Sequence, residues 1–259
     1  MRPYYDEDGI TIYHGDALGV LAALPDASVD AVVADPPYSS GGMMRGDRAQ
    51  STRTKYVQSS TQHEIPDFSG DSRDSRAYAY WSALWLSEAL RVTKSGGACL
   101  IFTDWRQLPT TTDGLQAGGW VWRGVVPWNK PASRPSKGRF ANSCEYVVWG
   151  TNGGRDGDTI DGCLPGFFTA SPPREREHIT QKPVDVMRQL VRIAPPGGVI
   201  LDPFMGAGTT GVAAMIEGRA FVGAEMHEHF VDVAARRIRE AAGQAVAKGD
   251  QAPLDFGAA

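Results

Sequence analysis

The chain reads as an α/β protein: a mainly parallel sheet with helices on both faces. Three observations predict this. Short apolar runs alternate with amphipathic stretches of helix length from Ile10 to Ala242, the rhythm of βαβ units. One run, Val29 to Ala34, is predominantly small and apolar, as suits a central strand covered on both faces. A third segment, Val199 to Gly211, passes from an apolar run through a glycine-rich turn into a helical pattern, the connection that binds ligands in doubly wound sheets.

In chain order, Ile10 to Tyr13 is predicted as a strand, Ala17 to Leu24 as a short helix and Val29 to Ala34 as the central strand. Tyr78 to Val92 has helical spacing, with Trp81, Leu84, Trp85 and Ala89 on one side; Gly96-Gly97 is expected to end it before a strand from Ala98 to Phe102. Leu108 to Ala117 is a helix, and Trp120 to Trp128 and Tyr146 to Trp149 are two strands expected to pair antiparallel at one sheet edge. Val184 to Ile193 is an amphipathic helix with Pro183 suited to its first turn. Val199 to Leu201, Thr209 to Glu217 and Ala220 to Ala224 follow as strand, helix and strand. Phe230 to Ala242 is the last helix, with Phe230, Val233, Ala234, Ile238 and Ala241 inward. The sum is seven strands, with one antiparallel strand at an edge.

At 259 residues, 42% hydrophobic and 22% charged, the chain has the length and composition of one large α/β domain with a sizeable core. The expected domain is 1–243, followed by a flexible tail, 244–259. No apolar run approaches a membrane span, and the first residues have no apolar signal region. The three cysteines, Cys99, Cys144 and Cys163, have no metal-ligand spacing and form no even disulfide set. Reduced thiols in a cytoplasmic protein, two of them in the core, are the expectation, with no metal and no membrane.

Three polar stretches interrupt the rhythm: 39–76, 131–143 and 152–178. Loops of such length are functional or disordered. The net charge of −4 does not advertise a nucleic-acid binder, but between Gly114 and Ser143 every formal charge is positive: Arg123, Lys130, Arg134, Lys137 and Arg139. Such a run is a solvated surface or a phosphate-facing edge, depending on what lies beside it.

In the turn Asp202-Pro203-Phe204-Met205-Gly206-Ala207-Gly208-Thr209-Thr210-Gly211, Gly206 and Gly208 allow close backbone approach to a ligand, and the helix from Thr209 offers free N–H groups to an anion. No Lys-Ser/Thr follows, so a phosphate-binding P-loop does not fit, whereas GxGxxG spacing does. Glu225 ends the next strand, where an acid can bind ribose hydroxyls. On this turn alone a dinucleotide, an adenosyl cofactor and a turn that binds nothing all remain open.

The other turn is Asp35-Pro36-Pro37-Tyr38, at the end of the central strand. Both prolines fix φ, so the turn is stiff. A carboxylate and a carbonyl held rigidly in this way suit attack by an aromatic exocyclic amine on a methyl sulfonium. Asp35 and the Pro36 carbonyl can each accept one amino proton, localising and aiming a lone pair that is otherwise delocalised into the ring. Tyr38 can stack on a base removed from a duplex. The bland alternative is a strand-ending Pro-Pro turn with a surface aspartate.

Taken together, the motifs resemble the permuted β-group of DNA amino-methyltransferases, in which Asp-Pro-Pro-Tyr precedes Asp-Pro-Phe-x-Gly-x-Gly. The likeness runs from Ile10 to Ala242 and includes His14-Gly15-Asp16, Tyr80-Trp81 to Gly97, Val126-Pro127-Trp128-Asn129-Lys130 and Gln181-Lys182-Pro183. It implies a Rossmann-like fold dependent on S-adenosylmethionine (AdoMet). Catalysis falls to Asp35, Pro36, Pro37 and Tyr38. Asp202, Phe204, Gly206, Gly208, Thr209 and Thr210 would meet the methionine part of AdoMet, Glu225 its ribose and Asp16 its adenine. Lys182 would approach the AdoMet carboxylate or be a surface lysine at a helix start. The Val126 to Lys130 segment would line the target-base pocket.

The resemblance implies double-stranded DNA as substrate and a flipped target base. Asp before Pro-Pro-Tyr is associated mainly with adenine N6, and Ser with cytosine N4, so adenine is the first expectation and cytosine the second. Backbone contacts would come from Lys130, Arg134, Lys137 and Arg139, and from Arg45, Arg48, Arg53 and Lys55 in a loop expected to close over DNA. Sequence recognition would come from the three polar stretches. Members of the group often dimerise, so a homodimer is expected on resemblance alone, as is a bacterial or phage source. Rival readings are a non-catalytic AdoMet-sensing DNA binder, an NAD-dependent oxidoreductase, and a methyltransferase acting on RNA or a protein amide. Asp35 with Tyr38 argues against the first, and the Asp-Pro-Pro-Tyr turn is unexplained by the second. The protein-glutamine enzymes more usually carry Asn at the Asp35 position.

Overall fold

The computed structural model describes residues 1–38, 73–131, 137–138, 140–171, 173 and 181–247. Their strands are β1 (Tyr5–Glu7), β2 (Ile10–His14), β3 (Val29–Ala34), β4 (Thr93–Thr103), β5 (Val121–Asn129), β6 (Cys144–Thr151), β7 (Phe168–Thr169), β8 (Val199–Asp202) and β9 (Ala220–Glu225). The helices are α1 (Ala17–Ala23), α2 (Ser75–Val92), α3 (Leu108–Ala117), α4 (Val184–Val191), α5 (Thr209–Ile216) and α6 (Glu228–Ala247). The strands form one sheet in the order β1-β2-β9-β8-β3-β4-β6-β5-β7.

The sheet differs from the expected seven strands in two ways. Among the described residues it has nine, because β1 and β7 extend its edges. β1 is too short and polar to betray itself by alternation. It is set by the Asp8-Gly9 turn, whose positive φ values of 52° and 74° suit a tight hairpin. The expected antiparallel edge strand is also misplaced. β6 is antiparallel to both its neighbours, β4 and β5, and lies inside the sheet. Burial explains the order: Val147 and Val148 of β6 are 0% exposed, whereas Val121 and Trp122 of β5 are 42% and 46% exposed. The more apolar strand takes the inner position.

Helices cover both faces. On one side α4, α5 and α6 bury Val186, Leu190, Val212, Ala234 and Ile238 against the sheet; on the other α1, α2 and α3 bury Leu21, Trp85, Leu86 and Leu115. α2 starts earlier than its apolar spacing suggests because Asp74 caps it, accepting from the Ala77 N–H at 2.8 Å. Its inward face is Tyr78, Ser82, Trp85, Leu86 and Ala89; Leu84 points outward. α4 uses Pro183 as its N-cap. α6 continues past Gly243 to Ala247, and Val231 is buried where Val233 was expected, Val233 being half-buried. One thiol is in the core rather than two: Cys99 is buried, Cys144 half-buried and Cys163 exposed.

Gly96-Gly97 does not end α2. The helix stops at Thr93, where β4 begins at once, and the glycines form an irregular start to that strand. A Cβ on Gly97 would meet Thr93 Cγ2 at 2.4 Å and the Asp30 carbonyl oxygen at 2.8 Å. Gly97→Ala is therefore expected to destabilise the fold by about 1–3 kcal/mol through overpacking, read as a lower urea midpoint at unchanged m-value. Asp30, the one charge in β3, is itself tied down: it accepts from the Val199 N–H at 2.8 Å and from Lys94 Nζ at 2.9 Å.

Candidate active site

Order within the sheet creates the site. β3 pairs in parallel with β4 on one side and with β8 on the other, and β8 pairs in parallel with β9. The β3–α2–β4 and β8–α5–β9 units therefore run outward in opposite directions. The point of reversal lies between β3 and β8, where the carboxyl ends of doubly wound strands leave a crevice. Asp35 follows β3 and Asp202 ends β8, so both turns picked out in the sequence open into the same place.

At the glycine turn, Asp202 is 2% exposed; its carboxylate accepts from the Thr210 hydroxyl and, at 3.0 Å, from the Phe204 N–H. Burial raises its pKa to about 7. The two hydrogen bonds partly offset this, while the charges of Asp35 and Glu225 add to it. Gly206 and Gly208 have φ of 48° and 77°. The missing Cβ of Gly208 makes room for α6, since it would meet Ala234 Cβ at 2.8 Å. Arg237 of α6 donates to the Ala207 carbonyl, clasping the turn from outside, a contact no sequence motif announces. Gly208 is the N-cap of α5 and has no side chain to cap with, so the first-turn N–H groups of Thr209 and Thr210 face outward from the helix end without a side-chain acceptor from that position.

Glu225 holds the same turn from β9. Its two carboxylate oxygens accept from the Gly206 N–H at 3.1 Å and the His227 N–H at 2.9 Å. Burial raises its pKa, with those bonds opposing. Its carbonyl accepts from the Gly15 N–H at 2.9 Å, which brings Asp16 alongside. Asp16 is exposed and caps α1, accepting from the Leu18 N–H at 3.0 Å. Phe204 packs its ring against Trp81 and Trp85, with centroids at 5.3 and 5.1 Å.

At the Asp35 turn, Pro36 and Tyr38 are buried and Asp35 and Pro37 half-buried. Lys182, 147 residues away in sequence, places Nζ 2.6 Å from Asp35 Oδ2 and is 6% exposed. The same ammonium is 3.5 Å from Glu145 Oε2. Lys130 Nζ lies 2.6 Å from Glu145 Oε1, and the Tyr38 hydroxyl donates to Glu145 Oε2 at 3.4 Å. Asp35, Lys182, Glu145 and Lys130 thus form a chain of alternating charge. Burial lowers the Lys182 pKa, but Asp35 and Glu145 more than reverse it and leave it raised; burial raises that of Glu145, but Lys182 and Lys130 hold it below the ordinary range.

Glu145 was not anticipated from the sequence. Its only signal is a single acid at the head of an apolar strand. Lys130 and Lys182 both place their ammonium groups against carboxylates of this chain, Glu145 and Asp35. Arg123 starts the same strand whose other end leads to Lys130, roughly 23 Å away at ~3.3 Å per residue, and it donates to Thr151 Oγ1. Lys137 is exposed. Arg45, Arg48, Arg53, Lys55, Arg134 and Arg139 lie outside the described residues. Trp128, expected to line a base pocket, is 2% exposed and packs edge-on against Phe102. Among the described residues no cluster of three or more His, Cys, Asp or Glu could hold a metal, and no helix is long and apolar enough to cross a membrane.

Comparison with known proteins places this geometry. A family profile described as DNA methylase, of the N6/N4 amino-methyltransferase type, matches residues 29–160 and 157–236. The chain is 27% identical to the type II methyltransferase M.HinfI of Haemophilus influenzae, over 89% of this chain and 68% of that protein. In fold it resembles the M1.HpyAVI–SAM complex, with TM-score 0.63 at 22% identity over 88% of this chain and 98% of the other. It also resembles the PvuII DNA methyltransferase (cytosine-N4-specific), with TM-score 0.68 at 17% identity over 95% of each chain. With the profile spanning both the Asp35 and the Asp202 turns, which the sheet joins at one switch point, the chain belongs to the DNA methylase family of N6/N4 amino-methyltransferases, enzymes whose methyl donor is AdoMet.

Proposed function

We propose that this protein methylates N6 of adenine in double-stranded DNA. The observation that carries the reading is the position of Asp35: a carboxylate on a rigid Pro-Pro turn, paired with a buried ammonium, beside the glycine turn at the switch point.

The residues present fit AdoMet. The uncapped start of α5 suits a carboxylate, and the acids at the ends of β8 and β9 suit an ammonium group and ribose hydroxyls. We assign Asp202, Phe204, Gly206, Gly208, Thr209 and Thr210 to its methionine end, Glu225 to the ribose and Asp16 to the adenine. When bound, AdoMet supplies a methyl group activated by its sulfonium. Asp35 and the Pro36 carbonyl hold the target amine by its two protons, so that its lone pair points at that methyl carbon. Positive charge reaching the amine nitrogen on methylation would be stabilised by the Asp35 carboxylate. One amine proton then leaves through Asp35 to solvent. Tyr38 stacks on the flipped base, whose extrusion costs a few kcal/mol. Segments 39–76, 131–143 and 152–178 of the domain 1–243 are the proposed readers of DNA sequence.

Adenine is favoured by aspartate before Pro-Pro-Tyr. Cytosine N4 is the second reading, favoured by the cytosine-N4-specific enzyme among the fold neighbours. Purified protein incubated with AdoMet and unmethylated genomic DNA, digested to nucleosides and analysed by mass spectrometry, is expected to yield N6-methyladenine. N4-methylcytosine would change the base and keep the mechanism. No methylated nucleoside from protein that binds AdoMet would reject DNA as substrate.

A further inference from the structure

The Lys182–Asp35 ion pair raises a chemical problem for the proposed reaction, and the structure contains its solution. Asp35 must offer a carboxylate oxygen to the incoming amine, and that amine becomes positive as it takes the methyl group. An ammonium 2.6 Å from Asp35 Oδ2 competes for the carboxylate and opposes the charge that develops there. Lys182 has no escape to water, being 6% exposed and walled by Phe102 and Tyr38, whose ring centroids are 5.0 and 5.8 Å from Nζ. A second carboxylate is within reach. Glu145 Oε2 is 3.5 Å from Nζ, so a shift on the order of 1 Å would complete the new pair. Glu145 is held in place: Lys130 grips Oε1 at 2.6 Å, and Oε2 faces Lys182 and the Tyr38 hydroxyl.

We propose that Glu145 is a positioning residue that receives the Lys182 ammonium when the target amine occupies Asp35. Lys182 then has two stations. On Asp35 it satisfies the catalytic carboxylate before the base arrives. On Glu145 it leaves Asp35 to the amine, and no buried charge is stranded in either state, which is the condition for such a switch to be cheap. Lys130 acts through Glu145 as its anchor, which gives it a role other than gripping a phosphate. This inference rests on the methylation reading above and adds two residues, Glu145 and Lys130, to it.

The test is a double-mutant cycle on the full chain with Glu145→Gln, Lys182→Met and the pair, each checked by thermal melting. Two quantities are read: kcat for methylation of unmethylated genomic DNA and the Kd for AdoMet by calorimetry. Glu145→Gln is expected to lower kcat by about tenfold or more and leave the AdoMet Kd within about twofold, because the receiving station is lost and the cofactor site is not. In the Lys182→Met background the same change should cost much less, since the switch runs through Lys182 and only the 3.4 Å contact of Glu145 with the Tyr38 hydroxyl is then lost. Wild-type kcat in Glu145→Gln, or effects that multiply across the cycle, would overturn the inference. Should Glu145→Gln fail to fold, Glu145→Asp keeps the charge but withdraws it by one methylene. It should show the same loss of kcat, and an unaltered kcat would overturn the inference equally. A failure of the methylation reading shows itself separately, as wild-type protein that binds AdoMet and methylates nothing, and the inference falls with it.

Discussion

Asp35→Ala is expected to lower kcat for methyl transfer by at least ~10²–10³-fold, about 3–4 kcal/mol of transition-state stabilisation, the scale found when one preorganised polar group is removed from a reacting centre. The protein should still fold and bind AdoMet. Asp35 lies after the last residue of β3, outside the sheet's hydrogen bonding, and its partner Lys182 retains Glu145 at 3.5 Å, so removal does not strand a buried charge. The groups assigned to AdoMet are on β8, α5 and β9 and hold one another in place, Asp202 with Thr210 and Phe204, and Glu225 with Gly206. Calorimetry with AdoMet should therefore give a Kd within a few-fold of wild type while nucleoside analysis shows almost no product. Asp35→Asn keeps one acceptor oxygen without the charge and should fall between the two. An active Asp35→Ala protein would remove Asp35 from the mechanism. Loss of AdoMet binding in that variant would instead mean that the aspartate organises the crevice rather than the amine.

The second large effect concerns pH and Asp202. Burial, together with the neighbouring Asp35 and Glu225 charges, raises this carboxyl from its ordinary 3.8 to about 7 in the folded state. Between those values the native protein holds a proton that the unfolded chain has released. Stability from this group is thus fully present below pH 4 and declines as pH rises towards 7, by up to roughly 1.4 kcal/mol per pH unit and ~4 kcal/mol in all. The amide introduced by Asp202→Asn does not titrate. In urea unfolding from pH 4.5 to 8, the stability of Asp202→Asn relative to wild type should improve steadily as pH rises and level off above 7. Glu225 is raised in the same direction and is present in both proteins, so the difference reports Asp202 together with its electrostatic coupling to Glu225. A difference independent of pH would show that Asp202 is ionised at no cost in the native state. The substitution also tests the turn itself: the Thr210 hydroxyl and Phe204 N–H each donate to a different oxygen of Asp202, and an amide can accept at only one.

Most strands and helices were legible because their apolar residues repeat at the period of the element. β3 was bounded residue for residue, as was α3, since each is closed by a strong signal: Asp-Pro-Pro after one, Gly-Gly after the other. Misreadings have particular causes. β1 depends on a two-residue turn and a partner strand, not on its own pattern. The Gly96-Gly97 pair looks like a helix stop and is in fact a crowded strand entry. The inner place of β6 follows from a comparison of two strands' burial, which neither shows alone. In the site, Asp35, Tyr38, Asp202, Gly206, Gly208 and Glu225 could be named in advance because stiff prolines, glycines and strand-ending acids are constrained locally. Glu145 and Arg237 could not, for each is an ordinary charged residue until a distant segment packs against it.

The sequence by itself determined the kind of protein this is. Two turns with unusual local chemistry, in a set order and each after an apolar strand, are sufficient to indicate the α/β fold class and the family and to single out Asp35 as the candidate reacting group, because such turns need only their own residues to take shape. Only the tertiary structure decided which charges meet. Lys182 could have faced a cofactor or solvent and Lys130 a phosphate; the fold turns both inward, onto Asp35 and Glu145. Ion pairing within a few ångströms depends on how β3, β5, β6 and the segment before α4 are brought together, and residues 147 apart carry no local trace of that meeting.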